Sequence, residues 1–291
     1  MDRQFLQYDE ETLRRLQKTL LEIFFDFANV CEKYGLRYFM FAGSGIGVVR
    51  HQGFIPWDDD IDVAMPREDY DRLLEVAPRE WAGKYKITTP LTDSQYISAV
   101  TKLQKLGTKF VPEMSKDMKC ELCIAIDIFP YDNVPDSPFL QKKQLWITWF
   151  LTKLIFLRGN AHPIIPLRGW KKTVSKGICE AAHFLTALFR ISPRFLYRCL
   201  LRESTRYNGE ETQRMNTFVA AGPQKTYVTR DELFPLVDMP FAGATAKMPK
   251  AYDACLRRIF GDYMTLPPES KRVNHCPYIL DFGEQNETDS H

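Results

Sequence analysis

The sequence predicts an α/β fold of the α+β kind, a mixed β-sheet flanked by helices and interrupted by a helical insertion. Three observations point there. A long amphipathic pattern opens the chain and is followed by short apolar runs that alternate with helical ones. After about residue 138 the character changes to long, aromatic-rich helical segments that last to about 205. Short mixed elements then resume to the end. The expected division is a core over 1–137, a helical insertion over 138–205, and a C-terminal part over 206–291 that completes the same domain as the core.

The elements follow in order. Leu13, Leu16, Leu20, Ile23, Phe24, Phe27, Cys31 and Tyr34 recur at steps of three and four, which predicts one helix. Asp9 is placed to cap it, Glu10 and Glu11 suit the positive end of its dipole, and Gly35 stops it. A short strand is expected over 36–42, running into Gly43-Ser44-Gly45, with a short helix over GIGVVRH. Residues 58–65 alternate acid with apolar in the manner of a half-buried strand. Pro66 then opens a helix with Tyr70, Leu73 and Leu74 on one side. Further strands are expected over 85–89, 99–104 and 122–129, the last ending at Pro130. A helix over 249–260 is closed by Gly261.

The bulk properties exclude some classes. A formal net charge of +2 gives no reason to expect nucleic acid as a partner. The polar, acidic start MDRQFLQYDEE is the reverse of a signal peptide, and with seven scattered cysteines it predicts a cytoplasmic, reducing setting. Cys120 and Cys123 have CxxC spacing but lack a second pair or a histidine at a zinc-site interval, so zinc is not expected there. The apolar run 145–157 is short and broken by Lys153, too little for a membrane span. With the arginine-studded region over 178–201 it reads as two core helices, the alternative being peripheral contact with the inner face of a membrane.

Three features carry chemistry. In a strand, residues two apart share a face, so Asp58, Asp60 and Asp62 are expected to point one way and Asp59 the other. Two carboxylates about 4 Å apart repel by roughly 4 kcal/mol at an effective dielectric near 20, which calls for a cation among them or for one acid to stay protonated. A few hard oxygen ligands with room for phosphate and water suit Mg²⁺ or Mn²⁺. A solvated acidic turn is disfavoured by the interleaved Ile61 and Val63 and by Ile55 and Trp57. An EF-hand fails because Val63 stands where that loop needs glycine. Second, the Gly43-Ser44 turn presents N–H groups and a hydroxyl to an anion, with Arg50, His51 and Lys102 as nearby positive charge. It matches neither the dinucleotide fingerprint nor the P-loop. Third, Asp127 is a lone acid in an apolar strand and needs a partner, either a local turn or the same metal.

The run Gly43–Leu74, GSGIGVVRHQGFIPWDDDIDVAMPREDYDRLL, closely resembles the signature of the LicD family, and Phe260–His275, FGDYMTLPPESKRVNH, resembles the same family's second signature. The preceding helix and IDIFP at Ile126–Pro130 are similar too, so the resemblance spans nearly everything but the insertion. It implies a nucleotidyltransferase-like catalytic core and transfer of phosphocholine from CDP-choline to sugars of cell-surface glycans such as teichoic acid or lipopolysaccharide. Fukutin-type relatives use CDP-ribitol. By the same resemblance Gly43 and Ser44 form the nucleotide-phosphate turn, Asp60 and Asp62 are metal ligands, and Asp127 is the third carboxylate. Ala242 departs from the pattern, standing after Phe241 where relatives often carry an acid, which puts acceptor choice in question.

The implied reaction is attack of a glycan hydroxyl, on a lipid-linked or free acceptor, at the distal phosphorus of a CDP-alcohol, releasing CMP. Asp127 serves as metal ligand or general base, with Asp58 as the reserve base, while Arg50 and Lys102 steady the phosphates. A choline group should meet aromatic faces, for which Trp57, Tyr131, Trp146 and Trp149 are candidates, those near Trp146 reading as core. Arg272 and His275 bind donor or acceptor, or else cap the GDYM turn. The alternatives are a ribitol- or glycerol-phosphate transferase or a nucleotidyltransferase using the same metal, and, from another class, a non-catalytic glycan- or membrane-surface-binding protein.

Overall fold

The computed structural model describes residues 7–116, 118–160, 170–220, 222–274 and 276–283. Helix α1 (Glu10–Tyr34) forms as its periodicity requires: the Asp9 side chain accepts from the Thr12 N–H at 2.8 Å, and Gly35 ends it at φ 64°. Leu16, Leu20, Ile23, Phe24, Phe27, Val30 and Cys31 are its buried stripe. Full burial of such a side chain contributes roughly 1.5–3 kcal/mol. That stripe lies on the main core cluster of the sheet.

The central sheet is mixed, as expected. Its order is β1 (Phe39–Met40), β2 (Asp62–Pro66), β6 (Ala125–Val134), β4 (Thr101–Lys105) and β3 (Tyr85–Thr88). Among the described strands only the β2–β6 pair is parallel. Between β1 and β2 lie α2 (Ala42–Ile46) and a π-helical turn over Gly47–His51, and α3 (Arg67–Glu80) follows β2. β5 (Lys109–Val111) pairs separately with the final strand β11 (Ile279–Asp281), which returns the chain to the edge of α1, where Arg15 lies over the Phe282 ring. The far half of β6 pairs with β7 (Arg214–Asn216), which pairs with β8 (Val228–Thr229).

Several strand boundaries differ from expectation, β4 among them, which starts at Thr101 instead of 99. The strand after the acidic run begins at Asp62, not Asp58, because the main chain of Asp58 is engaged elsewhere. Its N–H donates to the Ile55 carbonyl (2.8 Å), and its carbonyl accepts from Gln17 Nε2 (2.9 Å) of α1. β1 is only two residues long. β6 starts later than expected and runs through Pro130 to Val134, with Pro130 falling between the end of the ladder to β4 at Ile128 and the start of the ladder to β7 at Asp132.

The insertion is helical: α4 (Pro138–Gly159), α5 (Trp170–Leu188) and α6 (Pro193–Ser204). Ile155, Leu196, Tyr197 and Leu200 join α4 to α6 in a separate small core. The expectation that both apolar regions are core helices fails for α5 and for one side of α4, whose large apolar side chains are exposed. No helix among the described residues is long and apolar enough to cross a membrane.

After α7 (Arg230–Leu233) comes a hairpin that the sequence reading did not anticipate, β9 (Val237–Phe241) and β10 (Ala244–Met248), followed by α8 (Tyr252–Phe260). Ala242 and Gly243 form its two-residue tip at φ 51° and 82°, the signs a primed hairpin turn needs. An L-residue with a Cβ is strained there by roughly 1–2 kcal/mol, whereas glycine is not. Ala242→Gly is therefore expected to raise the unfolding free energy by about 1 kcal/mol. Urea unfolding checks it, and an unchanged or lowered midpoint contradicts it.

Candidate active site

The sheet register builds the site. Asp62 on β2 is paired with Asp127 on β6, and Asp127 with Lys102 on β4. Directly paired residues on neighbouring strands share a face, so these three side chains form one row across the middle of the sheet. Lys102 Nζ donates to Asp127 Oδ1. Burial works against the lysine's charge, but the Asp127 carboxylate beside it holds the ammonium above the ordinary lysine value. Asp62 moves the other way for an acid: burial, then the charges of Asp60 and Asp127, push it well above the usual carboxylate range, with Lys102 only partly offsetting them.

Asp59, Asp60, Lys102 and Asp127 line a cavity of about 380 Å³. Leu16 and Leu20 of α1 form part of its wall, as do Tyr96, Phe110 and Phe156. Asp59 is buried rather than turned away from the site as strand alternation implied, since residues 58–61 are not yet strand. The Tyr8 phenol lies beside it, and burial together with the Asp59 charge raises that phenol's pKa.

On the other side of the row stands the glycine-serine turn. Ser44 Oγ accepts from the Asp62 N–H at 2.8 Å, and that carboxylate-bearing strand is further fixed by the Phe41 N–H on the Asp62 carbonyl (2.9 Å). A Cβ at Gly43 would stand 3.3 Å from Asp58 Oδ2, so glycine here leaves room for that carboxylate. Gly47 is more constrained still: a Cβ there would meet the Gly53 carbonyl oxygen at 2.5 Å, and this close approach folds the π-helical turn back on the loop that leads to the acids. Ala42, at the entry to the turn, has φ 47°. Backbone strain of this kind collects at functional sites.

The two sequence signatures meet in space. Arg50 of the first donates through Nη1 to the Tyr263 carbonyl of the second, and the Arg272 guanidinium lies 5.2 Å from the centre of the Trp57 ring. Arg50 Nε donates to His51 Nε2 at 3.0 Å, which requires a neutral imidazole. Burial and then the Arg50 charge lower the His51 pKa and favour that form. Burial and then Arg272 also lower Arg50, a mark of two guanidinium groups held close. Arg272 Nε is used on the Pro267 carbonyl (2.9 Å), so this residue also braces its own loop. His275 lies outside the described residues.

The structure thus gathers Asp58, Asp60, Asp62, Asp127, Lys102, Gly43 and Ser44, and sets Trp57, Arg50 and Arg272 together as a basic, aromatic neighbour of the acidic loop. Tyr131 belongs elsewhere: it is buried between Phe39 and Phe41, and its hydroxyl donates to the Thr226 carbonyl at 2.8 Å. Trp146 and Trp149 form an edge-to-face pair on α4 and do not line the acidic cavity. The aromatic side chains that do are Tyr96, Phe110 and Phe156, none of them singled out from sequence. Phe156 comes from the insertion, and no local pattern connects it to the acids.

The donor chemistry fits a hard divalent cation. Carboxylates crowd one face, and Asp62 is raised first by burial and then by the charges of Asp60 and Asp127, a setting in which a cation would favour the carboxylate form. No three ligating side chains among the described residues are grouped to enclose an ion by themselves. Mg²⁺ in general needs only one or two protein carboxylates where substrate phosphates and water complete its shell.

Residues 35–167 match the family described as LicD/FKTN/FKRP, nucleotidyltransferase domain. The chain is 30% identical over 268 residues to the lipopolysaccharide cholinephosphotransferase LicD of Haemophilus influenzae, an alignment covering 91% of this chain and 96% of that protein. Shorter stretches match uncharacterized proteins of Rickettsia prowazekii (34% over 61 residues, 21% of this chain and 23% of that one) and Rickettsia typhi (33% over 69 residues, 24% and 22%). A relative aligned over almost its whole length, with both signatures meeting at one site, leaves a single conclusion: this chain belongs to the LicD family.

Proposed function

We propose that this protein is a phosphotransferase that moves phosphocholine from CDP-choline to a sugar hydroxyl of a cell-surface glycan and releases CMP. The observation that carries the reading is the in-register row of Asp62, Asp127 and Lys102 beside a cavity also lined by Asp60. The full-length relative, named for cholinephosphate transfer to lipopolysaccharide, supplies the substrate class.

Asp60 and Asp62 are the residues that would hold Mg²⁺ or Mn²⁺, which when bound offsets the charge of a diphosphate and of its leaving group. Ser44 Oγ and the Phe41 N–H keep the acidic strand in place, and the glycine-serine turn would face the diphosphate of the donor. Asp127 accepts the proton of the attacking hydroxyl or completes the ligand set; Lys102, bonded to it, holds its carboxylate in position. Asp58, beside Gly43, is the reserve base. Tyr96, Phe110 and Phe156 offer aromatic faces of the kind that attract a quaternary ammonium, which favours choline over ribitol or glycerol as the transferred alcohol.

The test is CMP release from CDP-choline, CDP-ribitol and CDP-glycerol, with and without Mg²⁺, in the presence of a glycan acceptor. Mg²⁺-dependent release from CDP-choline ahead of the other two is expected. Preference for CDP-ribitol or CDP-glycerol overturns the choline assignment, and release that is indifferent to chelation overturns the metal.

A further inference from the structure

Helix α5 is amphipathic in the opposite sense to a buried helix. The side it turns inward carries half-buried Cys179, Ala182 and His183 and buried Thr186, and His183 Nδ1 is hydrogen-bonded to the Leu157 carbonyl of α4 at 2.8 Å. The opposite side is an apolar stripe at helical spacing, Trp170, Val174, Ile178, Leu185 and Leu188, each 48–72% exposed. On α4, Phe139, Trp146 and Phe150 are 55–74% exposed and alternate at the same spacing with exposed Lys142, Lys143 and Lys153. Soluble proteins rarely leave so large an apolar surface uncovered.

Charge says what covers it. Residues 138–205 hold twelve lysines and arginines against two glutamates, a net +10 in a chain whose total is +2, so the remainder of the molecule is net −8. A second copy docked face to face would press like charges together. An apolar occupant of negative charge is the complement, and a headgroup layer containing anionic lipid is both. The mixture of tryptophan and phenylalanine with lysine is that of a side-lying interfacial helix, and no described helix is apolar enough to span the bilayer. We infer that the exposed face of α4 and α5 docks the protein peripherally on an anionic lipid bilayer. The inference does not depend on the donor or the acceptor. It has a consequence for the site, because α4 also supplies Phe156 to the wall of the acidic cavity.

Co-sedimentation of the full chain with vesicles tests this, comparing phosphatidylcholine alone with phosphatidylcholine mixed with phosphatidylglycerol at low salt. Binding to the anionic vesicles is expected to exceed binding to the neutral ones by about tenfold or more, and to weaken as salt rises. Each lysine near such a surface accounts for about a factor of five, so Lys142→Gln, Lys143→Gln and Lys176→Gln together should lower partition roughly a hundredfold. Trp146→Ser with Ile178→Ser should also lower it, and both variants should keep the wild-type melting temperature because the replaced side chains are exposed. The inference is overturned if the protein does not bind anionic vesicles or if both variants bind as the wild type does. It is equally overturned if sedimentation velocity shows a dimer that both sets of substitutions dissolve.

Discussion

Replacing Asp62 by asparagine is expected to abolish turnover and, in metal-free protein, to raise stability. On the metal-binding role proposed for Asp62, its loss removes several kcal/mol of charge stabilisation, a fall in rate of about 10³-fold or more. The gain in stability follows from the same geometry. Burial and the facing charges of Asp60 and Asp127 raise the pKa of Asp62, so the folded state binds that proton more tightly than the unfolded chain does. The resulting penalty is absent below the unfolded carboxylate value. It grows as pH rises between the unfolded and folded values, and is complete above the folded one. Asp62→Asn should therefore be more stable than the wild type by about 1 kcal/mol at neutral pH in chelator, the usual scale when a residue strained for function is relieved. The gap should close as pH falls toward about 4. Thermal unfolding across that range, beside CMP release, checks both halves. An inactive variant that is less stable at neutral pH would show Asp62 to be a structural residue.

The largest loss of stability is expected from Asp132→Ala. Asp132 is 1% exposed and accepts from Arg67 Nε and Nη2, at 2.7 and 2.8 Å, and from Asn208 Nδ2 at 2.7 Å. Burial disfavours the Arg67 charge, but Asp132 holds it above the ordinary arginine value. Removing the carboxylate leaves the buried guanidinium at the junction of β2, α3 and β6 with the long, largely exposed contact to Asp71 (3.5 Å) as its acid partner, at a cost of about 3–5 kcal/mol. The exposed Arg14–Glu10 pair, by contrast, contributes little. Urea unfolding should show a lower midpoint at unchanged slope. A loss below about 1 kcal/mol would mean that water reaches Arg67 once the partner is gone. Replacing both partners with apolar residues should recover much of the loss, because the cost lies in the unpaired charge.

Legibility in the sequence followed the range of the interaction. α1 was readable to its ends because cap, stripe and stop are all local: Asp9, Leu16 to Cys31, Gly35. The partnership of Asp127 with the acidic run was inferable because a lone acid in an apolar strand demands a partner, and the register of β2 with β6 supplies it. Alternation misled at residues 58–61, where Gln17 and Ile55 divert the main chain of Asp58 before the strand begins. The β9–β10 hairpin went unread because Ala-Gly is a weak turn signal where Asn-Gly would be a strong one. Tyr131, an aromatic candidate for choline, sits four residues along the strand from Asp127, far enough for its side chain to enter another core cluster. Phe156 was invisible because its role depends on how α4 folds back over the sheet.

The most direct test of the carboxylate row as a metal-dependent transfer centre is a crystal soaked with CDP-choline and Mn²⁺, with the ion located by its anomalous scattering. The expected result is an ion bound by Asp60 and Asp62, touching a diphosphate oxygen, at ligand distances of about 2.0–2.2 Å. The choline should lie against Tyr96, Phe110 or Phe156. An ion held by other acids while the donor occupies the cavity, or a donor bound away from Asp127 and Lys102, would contradict the account.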